Sequence, residues 1–387
     1  MRYCDSIFGR LLEPIDRRWF ERIVERHDGD AYIKEFTSWD HLCLLVYAQL
    51  SGIEGLRGLV ATWNANAHHH YHLGVGDIAR STISDANARR PIAIFKETFS
   101  ILSTHASRQI RREGDHMLRL IDSTPVPLGE LFGWAKSNGR IRGLKLHTLY
   151  DPQGDNPIGA EITHANVNDI EIGESFPIEP GATYVMDKAY CKYTWWTAIH
   201  DTPATFVTRQ KTSSRFRAVR WRKLEQVRGE GFTIIDDAEV RLVSKGDSKL
   251  AIPMRRIRLR RDDGGKLTLL TNDMTRAAVA IGALYKLRWQ IELLFRWIKQ
   301  HLKIRSFLGR NDNAVCLQIL AAMIAYVLLR LAARASRLTI PLIRLADMLK
   351  ARLFMRLPLE KIDKPPDVHT SRPKPKHSPD QWEFCYA

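Results

Sequence analysis

Apolar and polar residues alternate along the first hundred positions with the spacing of amphipathic helices. Apolar side chains recur at every third or fourth position in His41–Gly52 and Leu56–Asn64, which gathers them on one helix face. The polar segment Ser81–Arg90 begins with serine, a residue that suits a helix N-cap. Residues 1–110 are therefore predicted to form a small helical domain, arranged either as a helix-turn-helix or as a plain helical bundle.

From Met117 onward the pattern changes to short runs of β-branched and apolar residues bounded by Gly, Pro or Asp. Helices are predicted before and after the fourth run, over Asp169–Glu174 and Tyr193–His200. This order of elements indicates a mixed α/β sheet of the ribonuclease-H type over residues 111–210. The predicted strands are Met117–Asp122, Leu144–Tyr150, Pro157–Thr163, Thr183–Asp187 and Thr205–Arg209.

Residues 211–272 differ from this core. They contain alternating segments separated by Gly and Asp, which predicts an antiparallel β insertion. A long helix is predicted to follow, from about Thr275 to Leu302. The last part of the chain, residues 358–387, is rich in Pro and Lys and is predicted to be a disordered tail.

The helices over residues 273–357 are predicted to complete the core. The uncharged apolar run from Ala314 to Leu329 lies inside a predicted helix over 314–335. It is shorter than the roughly 20 residues that span a bilayer. We therefore expect a buried core helix and no membrane association. The fold class is α/β, with a ribonuclease-H-like mixed sheet, an antiparallel β insertion and a small helical N-terminal domain.

The positive net charge of the chain indicates what kind of molecule it binds. The sequence contains 59 Lys and Arg against 43 Asp and Glu, a formal net charge of +16, which indicates a polyanion such as nucleic acid. The five scattered cysteines form no C-x-x-C pair, so reduced thiols and a cytoplasmic location are expected. The motifs of P-loop ATPases, Rossmann dehydrogenases and α/β-hydrolases are absent from the sequence.

Two aspartates end apolar β runs, Asp122 in MLRLIDST and Asp187 in TYVMDKAY. Either one alone is typical of a helix cap or a turn. Ligands of α/β sheets, however, sit at the carboxyl ends of strands. Two carboxylates that meet there repel each other unless a cation lies between them, and hard oxygen ligands suit Mg²⁺ or Mn²⁺.

The predicted long helix carries a basic stripe with one acid in it. At 100° per residue, Tyr285, Arg288, Glu292, Arg296 and Lys299 share an arc of about 80°. The apolar residues opposite define the buried face. A solvated charged face is one explanation, and a metal ligand among phosphate-binding groups is another.

The spacing Tyr285-x2-Arg288-x3-Glu292-x6-Lys299 matches the Tyr-Arg-Glu-Lys signature of one branch of bacterial insertion-sequence transposases, the insertion sequence four family of the DDE class. Asp122 and Asp187 stand where that family has its first two acidic residues. The chain resembles the family over about residues 117–310. The N-terminal segment is similar to the small helical domain often joined to such enzymes, which implies DNA binding by residues 1–110.

The resemblance implies metal-dependent DNA cleavage and strand transfer by phosphoryl transfer. Asp122, Asp187 and Glu292 would be catalytic and would hold two Mg²⁺ or Mn²⁺ ions. Arg288 and Lys299 would hold phosphates near the break, and Tyr285 would hydrogen-bond a phosphate oxygen. The implied partners are double-stranded DNA at terminal inverted repeats and at the target, and a second copy of the chain in a synaptic homodimer. A bacterial cytoplasmic, nucleoid-associated location follows.

Basic residues outside the helix fit the same partner. The segment from Arg209 to Arg228, both ends included, contains eight Lys or Arg, among them Lys211, and one acidic residue. Such residues position DNA without reading its sequence. Relatives of this branch form a hairpin on the transposon end with a flipped base stacked on an aromatic side chain, and Trp289 and Trp221 are candidates for that contact.

Two other functions remain open at this stage. A transposase-derived protein that binds DNA without cutting it would keep the basic surfaces, although the intact set of three acids argues against it. A ribonuclease-H-like nuclease would keep the acids, although the long β insertion and the basic N-terminal region argue against it.

Overall fold

The computed structural model describes residues 5–108, 117–243, 250–301 and 307–362. The prediction of a disordered tail is wrong for residues 358–362, because Leu359–Lys361 form a 3-10 turn and Leu359 and Ile362 are buried. The rest of the predicted tail, from position 363 onward, lies outside the described residues. Helices make up the regular structure of the chain up to residue 108. They are α1 Ile7–Leu12, α2 Arg17–Arg26, α3 Ser38–Ser51, α4 Leu56–Asn64, α5 His70–Leu73, α6 Arg80–Arg89 and α7 Ile92–Arg108.

The boundaries of α3 follow from its local sequence. Thr37 and Asp40 form a reciprocal capping box at its start, and Gly52 ends it with a φ of 73°. Its residues from Ser38 to Leu50 are all buried. The helix is thus central to the N-terminal part of the protein, whereas the sequence pattern predicted a helix with one buried face.

The start of α6 differs from the prediction. The sequence placed Ser81 at the N-cap, but the helix begins at Arg80, and Ala79 at the N-cap makes no side-chain hydrogen bond. Ile83 and Ala86 are buried, so packing rather than capping sets the position of this helix. Its first backbone N–H groups have no side-chain cap.

All ten described strands belong to one sheet in the order β3-β2-β1-β4-β5-β10-β9-β8-β6, with β7 beside β8. The pairs β1–β4 and β4–β5 are parallel, and the others are antiparallel. This mixed sheet confirms the predicted α/β class. The strands are β1 Leu118–Pro127, β2 Gly143–Asp151, β3 Asn156–His164, β4 Thr183–Met186, β5 Thr205–Arg209, β6 Phe216–Trp221, β7 Arg228–Gly229, β8 Phe232–Leu242, β9 Met254–Arg261 and β10 Lys266–Thr271.

The β insertion is continuous with the core sheet. Its last strand, β10, pairs with β5 so that Leu269 lies opposite Arg209. Apolar residues of the insertion share clusters with the core on both faces of the sheet, including Ile257 on one face and Met254 on the other. The sequence predicted the insertion but gave no sign of this pairing.

The helices of the core cover both faces of the sheet. The predicted long helix is two helices, because α10 ends at Leu287 and α11 begins at Trp289. Arg288 lies at the break with a φ of −52° and a ψ of −29°, so its own backbone conformation is still helical. These helices are α8 Asp169–Gly173, α9 Tyr193–Asp201, α10 Ala278–Leu287, α11 Trp289–His301, α12 Asp312–Ala335 and α13 Leu342–Leu349.

Helix α12 is the predicted apolar helix. It is long and apolar enough to cross a membrane by composition alone, but 89% of its most apolar window is buried inside the protein. It packs against α3 and α7 of the N-terminal part and against β3 and α11 of the core. The helix therefore joins the N-terminal helices and the sheet in one apolar cluster.

A buried ion pair fixes the insertion to the segment that leads into α10. Arg255 on β9 is 1% exposed, and its Nε and Nη2 atoms donate to the two carboxylate oxygens of Asp237 on β8 at 2.8 and 2.6 Å. Its Nη1 atom donates to the carbonyl oxygens of Asp273 and Arg276 at 3.2 and 2.6 Å. One guanidinium thus connects two strands to the turn before α10.

Replacing Arg255 by leucine is expected to lower the free energy of unfolding by about 3–5 kcal/mol, because the buried Asp237 carboxylate loses both hydrogen bonds from Arg255 and is left with the longer contact to Arg222 Nε at 3.8 Å. Urea and thermal unfolding measure this loss. The matched control is Arg220→Leu on β6, which removes a guanidinium that is 70% exposed and paired with Glu239. That loss is expected to be much smaller than the loss in the Arg255 variant, because water and salt screen an exposed ion pair. Equal losses in the two variants would contradict the proposed role of Arg255.

The buried His41 on α3 makes the stability of the N-terminal part depend on pH. Burial lowers the pKa of His41 to about 3, below its value in the unfolded chain. The unfolded chain therefore binds the extra proton, and stability present above about pH 6.5 is lost as the pH falls. The ring Nε2 lies 2.8 Å from the Asn87 side-chain oxygen.

We expect His41→Leu to destabilise the protein most at pH 7.5, where the wild type has a neutral, hydrogen-bonded imidazole. Between pH 6.5 and pH 5 this penalty is expected to shrink by roughly 2 kcal/mol, since only the wild type is weakened by acid at this position. Unfolding free energies of both proteins across this range measure the change. A difference independent of pH would contradict the buried neutral state of His41.

Candidate active site

The parallel pairing of β1 with β4 brings the two predicted aspartates side by side. Ile121 lies opposite Met186 in this pair, and the residues that follow are Asp122 and Asp187. The prediction that Asp122 ends its strand is wrong, because β1 continues to Pro127. Asp187 does follow the last residue of β4. The negative charge of Asp187 contributes to the pKa of Asp122, as expected for neighbouring carboxyl groups.

The Asp187 side chain is not used as a helix cap. A short 3-10 turn begins after it, but the carboxylate makes no capping hydrogen bond. Its Oδ1 atom is buried and has no hydrogen-bond partner among the described residues. A role as a helix cap or turn residue therefore does not account for the Asp187 side chain. A buried carboxylate oxygen normally has a hydrogen-bond partner, and Oδ1 of Asp187 has none among the described residues.

Asp122 is held in a desolvated position. Its Oδ1 atom accepts a hydrogen bond from the Ser123 backbone N–H at 2.9 Å, and its Oδ2 atom accepts one from Arg288 Nη1 at 2.9 Å. Burial raises the pKa of Asp122 to about 6, although the charge of Arg288 acts in the opposite direction. The site thus favours a cation that would stabilise the ionised carboxylate.

Arg288 joins Asp122 to Glu292. Its Nη2 atom donates to Glu292 Oε1 at 2.5 Å, one turn further along the chain. The guanidinium therefore bridges a carboxylate of the sheet and a carboxylate of α11. Burial lowers the pKa of Arg288, but its acidic neighbours and Tyr285 outweigh this effect and raise it, so its charge is permanent.

Tyr285 lies on the other side of Arg288, at the end of α10. Its side chain is buried, at 7% exposure, although the helical wheel placed it on the polar face. The Arg288 Cζ atom lies 5.9 Å from the centre of its ring. Burial raises the pKa of Tyr285 to about 12, and the charges of Asp187 and Arg209 also act on it.

The remaining predicted cations fall into two groups. Arg209 ends β5 next to β4, and Lys211 donates to the Cys191 carbonyl oxygen at 3.3 Å, on the Asp187 side of the site. Arg296 and Lys299 lie on α11, on the Glu292 side. The structure thus distributes the predicted cations around the acidic residues.

An open cleft of about 410 Å³ lies over the Asp122 and Glu292 side of the site. Four of its lining residues had no role predicted from the sequence, and they are Ser123, Thr124, Phe295 and Gln300. The first two directly follow Asp122, so their proximity to it was the available signal. The cleft is lined by Asp122, Ser123, Thr124, Glu292, Phe295, Arg296, Lys299 and Gln300.

The carboxylates of Asp122, Asp187 and Glu292 are the right kind of ligand for a hard divalent cation. They lie in one region but are not yet close enough to enclose an ion together. Carboxylate oxygens are the preferred ligands of Mg²⁺ and Mn²⁺, Asp187 Oδ1 is buried without a partner, and a guanidinium stands as a cation between Asp122 and Glu292. Within the described ranges, no three His, Cys, Asp or Glu side chains are gathered closely enough to enclose an ion. Asp122, Asp187 and Glu292 are the residues that could hold a metal.

The two candidate stacking aromatics are both exposed. Trp289 at the start of α11 is 55% exposed and Trp221 at the end of β6 is 60% exposed. An arginine lies over each ring, Arg296 at 5.8 Å and Arg256 at 5.9 Å from the ring centre. Neither tryptophan is a core residue, which was the alternative explanation for both.

A second basic cleft lies away from the acidic residues, with a volume of about 740 Å³. Arg57 lies in the first turn of α4, Arg80 begins α6 and Arg310 precedes α12. Neither helix has a side-chain cap at its start. This cleft was not predictable from the sequence, because its arginines are far apart in the chain. It is lined by Gly55, Leu56, Arg57, Arg80, Ser81, Ser84, Asp85 and Arg310.

Comparison with known proteins supplies the family. The family model described as "Transposase DDE domain" matches residues 113–328, and a domain of unknown function, DUF4372, matches residues 3–76. The first match confirms the resemblance to DDE transposases drawn from the sequence. It includes all three predicted acidic residues.

A protein from Sinorhizobium fredii named as a transposase, y4zB, is 60% identical over 305 residues, which are 79% of this chain and 86% of that protein. A Geobacillus stearothermophilus protein named as a transposase for insertion sequence element IS5377 is 30% identical over 65% of this chain and 66% of its own length.

Among solved structures, a piggyBac transposase synaptic complex with hairpin DNA has a TM-score of 0.49 and 10% identity. The similarity covers 95% of this chain and 84% of that one. The family model alone matches more than half of the sequence. The chain therefore belongs to the family of DDE-domain transposases, enzymes that cleave DNA and transfer its strands.

Proposed function

We propose that Asp122, Asp187 and Glu292 form the catalytic centre of this transposase and cut and rejoin DNA at the ends of an insertion sequence. The observation that carries the proposal is that one parallel strand pair and one bridging arginine bring the three acids into the same region. They come from a strand, a strand end and a helix that are far apart in sequence.

Transposases with this domain depend on divalent metal ions, and we propose two Mg²⁺ or Mn²⁺ ions here. When bound, such ions activate the attacking hydroxyl and stabilise the leaving oxygen during phosphoryl transfer. Asp122, Asp187 and Glu292 would hold them. Asp122 and Asp187 are half-buried, and this partial desolvation would strengthen their interaction with a cation.

The cations around the acids would bind and orient the DNA backbone. Lys299 and Arg296 line the cleft beside Glu292 and would hold phosphates on that side. Arg209, Lys211 and Tyr285 lie near Asp187 and would hold phosphates on the other. One group of cations near Glu292 and another near Asp187 suit a DNA strand whose backbone passes over the acids.

The proposed substrates are the terminal inverted repeats of the insertion sequence and a target duplex. A homodimer would hold two transposon ends in one synaptic complex, in the cytoplasm of a bacterium and close to the nucleoid. Trp289 and Trp221 are proposed as stacking sites for a flipped base if a hairpin intermediate forms, because both rings are exposed. No association with a membrane is proposed, since α12 is buried.

The basic cleft between α4 and α6 is proposed as a second DNA contact, formed by the helical N-terminal domain. Arg57, Arg80 and Arg310 have no ion-pair partner within the described part of the chain. Uncapped helix starts add partial positive charge to the same cleft. Arg310 is fixed relative to α6 because Asn313 on α12 donates to the carbonyl oxygens of Asn87 and Arg90 at 2.9 Å.

The first test replaces Glu292 by glutamine. Cleavage of DNA that carries the cognate terminal repeats is expected to fall at least about 10³-fold, because a metal-holding carboxylate is lost. Binding to the same DNA, measured by gel shift in Ca²⁺, is expected to change little. The control is Glu230→Gln, an acid whose side chain is 94% exposed, which is expected to cut at the wild-type rate.

Cleavage by Glu292→Gln at the wild-type rate would contradict the assignment of this residue. Two outcomes with the wild-type protein would favour the other functions. Specific binding without cleavage in either Mg²⁺ or Mn²⁺ would indicate a DNA-binding protein without catalytic activity. Cleavage without strand transfer into a target plasmid would indicate a nuclease.

The second test replaces Arg57, Arg80 and Arg310 together by glutamine. Affinity for repeat DNA at moderate salt is expected to fall at least about tenfold. The slope of log affinity against log salt concentration is expected to decrease by roughly two to three, because up to three phosphate contacts are lost. The cleavage rate at saturating DNA is expected to stay near the wild-type value.

A variant with the same loss of charge elsewhere is the control for this test. Arg18, Arg22 and Arg344 are exposed residues outside both clefts, and their joint replacement by glutamine is expected to reduce the slope by less than one. Equal effects of the two triple variants would show that only the overall charge matters, which would contradict a DNA contact in this cleft.

A further inference from the structure

We infer that Arg288 is an internal counter-ion of the metal-free enzyme, and that a divalent cation displaces its guanidinium from Asp122 and Glu292. This inference rests on the proposed function, since it takes these two carboxylates as metal ligands. It goes beyond that function by assigning two positions to one side chain: one between the carboxylates before metal is bound, and one away from them afterwards.

The bridging geometry is the first observation. Arg288 Nη1 lies 2.9 Å from Asp122 Oδ2, and Nη2 lies 2.5 Å from Glu292 Oε1. The two terminal nitrogens of the guanidinium thus each bind a different carboxylate. Its side chain is 17% exposed, so it points toward the acids rather than out into solvent where a DNA phosphate would approach.

The pairing of the two acids is the second observation. Arg288 forms one ion pair with Asp122 and a second one with Glu292. Arg296 and Lys299 also line this cleft. Without Arg288, two carboxylates would face each other across a partly buried cleft, and this repulsion would be unfavourable.

Metal and guanidinium compete for the same oxygens. A divalent ion carries twice the charge of Arg288 and binds carboxylate oxygens directly at about 2.0–2.6 Å. An ion in contact with Asp122 Oδ2 and Glu292 Oε1 would stand where the two terminal nitrogens now lie. Repulsion between the cations would also oppose simultaneous occupation. The guanidinium therefore has to leave for both carboxylates to serve as ligands.

The local backbone allows this movement. Arg288 lies between α10 and α11, and its N–H forms a tight-turn hydrogen bond to the Tyr285 carbonyl oxygen at 3.1 Å. Rotation about the side-chain bonds of Arg288 moves the guanidinium without unwinding either helix. Once released, it becomes available to a phosphate group. Metal loading and phosphate binding are then coupled through one residue.

The experiment measures Mn²⁺ binding to the full-length protein without DNA, by electron paramagnetic resonance and calorimetry. In Arg288→Gln the competing cation is gone, so the dissociation constant for Mn²⁺ is expected to fall roughly tenfold relative to the wild type. The melting temperature of the metal-free variant is expected to drop, and saturating Mn²⁺ is expected to restore most of it. A purely structural arginine would lower stability with and without metal.

Lys286→Gln is the matched control, because it removes one positive charge two residues earlier, from an exposed side chain paired with Glu230. Its Mn²⁺ affinity is expected to stay within about threefold of the wild type. Arg288→Lys serves if the glutamine variant fails to fold. A lysine has one ammonium and cannot bridge both acids as a fork does, so tighter Mn²⁺ binding than in the wild type is again expected.

Unchanged or weaker Mn²⁺ binding in the folded Arg288 variants would overturn the inference. Failure of the proposed function gives a different result. If Glu292→Gln binds Mn²⁺ as tightly as the wild type, the metal assignment itself is wrong. If Mn²⁺ binding depends on Glu292 but does not tighten without Arg288, the metal assignment stands and the counter-ion role alone is wrong.

Discussion

The parallel pairing of β1 with β4 is the constraint on which the site depends. A shift of this register by one residue would separate the level of Asp122 from that of Asp187 and would turn one of them to the opposite face of the sheet. Apolar neighbours fix the register, because Leu120, Ile121 and Met186 are fully buried. The position of two polar groups is thus set by the packing of residues that take no part in chemistry.

Local pattern was sufficient for much of the fold. The run Thr205–Arg209 is a strand with the bounds that the sequence predicted, because it is a short apolar segment between turn residues. The pairing of β10 with β5 was not predictable in this way. It joins residues about sixty positions apart, and its register depends on apolar contacts between the insertion and the core.

In the candidate site, too, local sequence features were predictable and contacts between distant parts of the chain were not. Asp122 and Asp187 were found from their place after apolar runs, and Glu292 from its isolation among cations. The pairing of Arg288 with Asp122 could not be inferred, because a helical wheel gives no contact with another part of the chain. In the structure Arg288 donates to Asp122 on β1 and to Glu292 on α11. The Arg57, Arg80 and Arg310 cleft has no local signature at all.

The burial of α12 bears on how separable the parts of this protein are. A helix as apolar as a membrane span is covered by α3 and α7 on one side and by β3 and α11 on another. An isolated N-terminal fragment would lose that helix and expose the apolar surfaces of α3 and α7. In the sequence the N-terminal helices look like an independent domain, but in the structure they share one apolar core with the sheet. Exchanging these helices between relatives would therefore require compensating changes along α12.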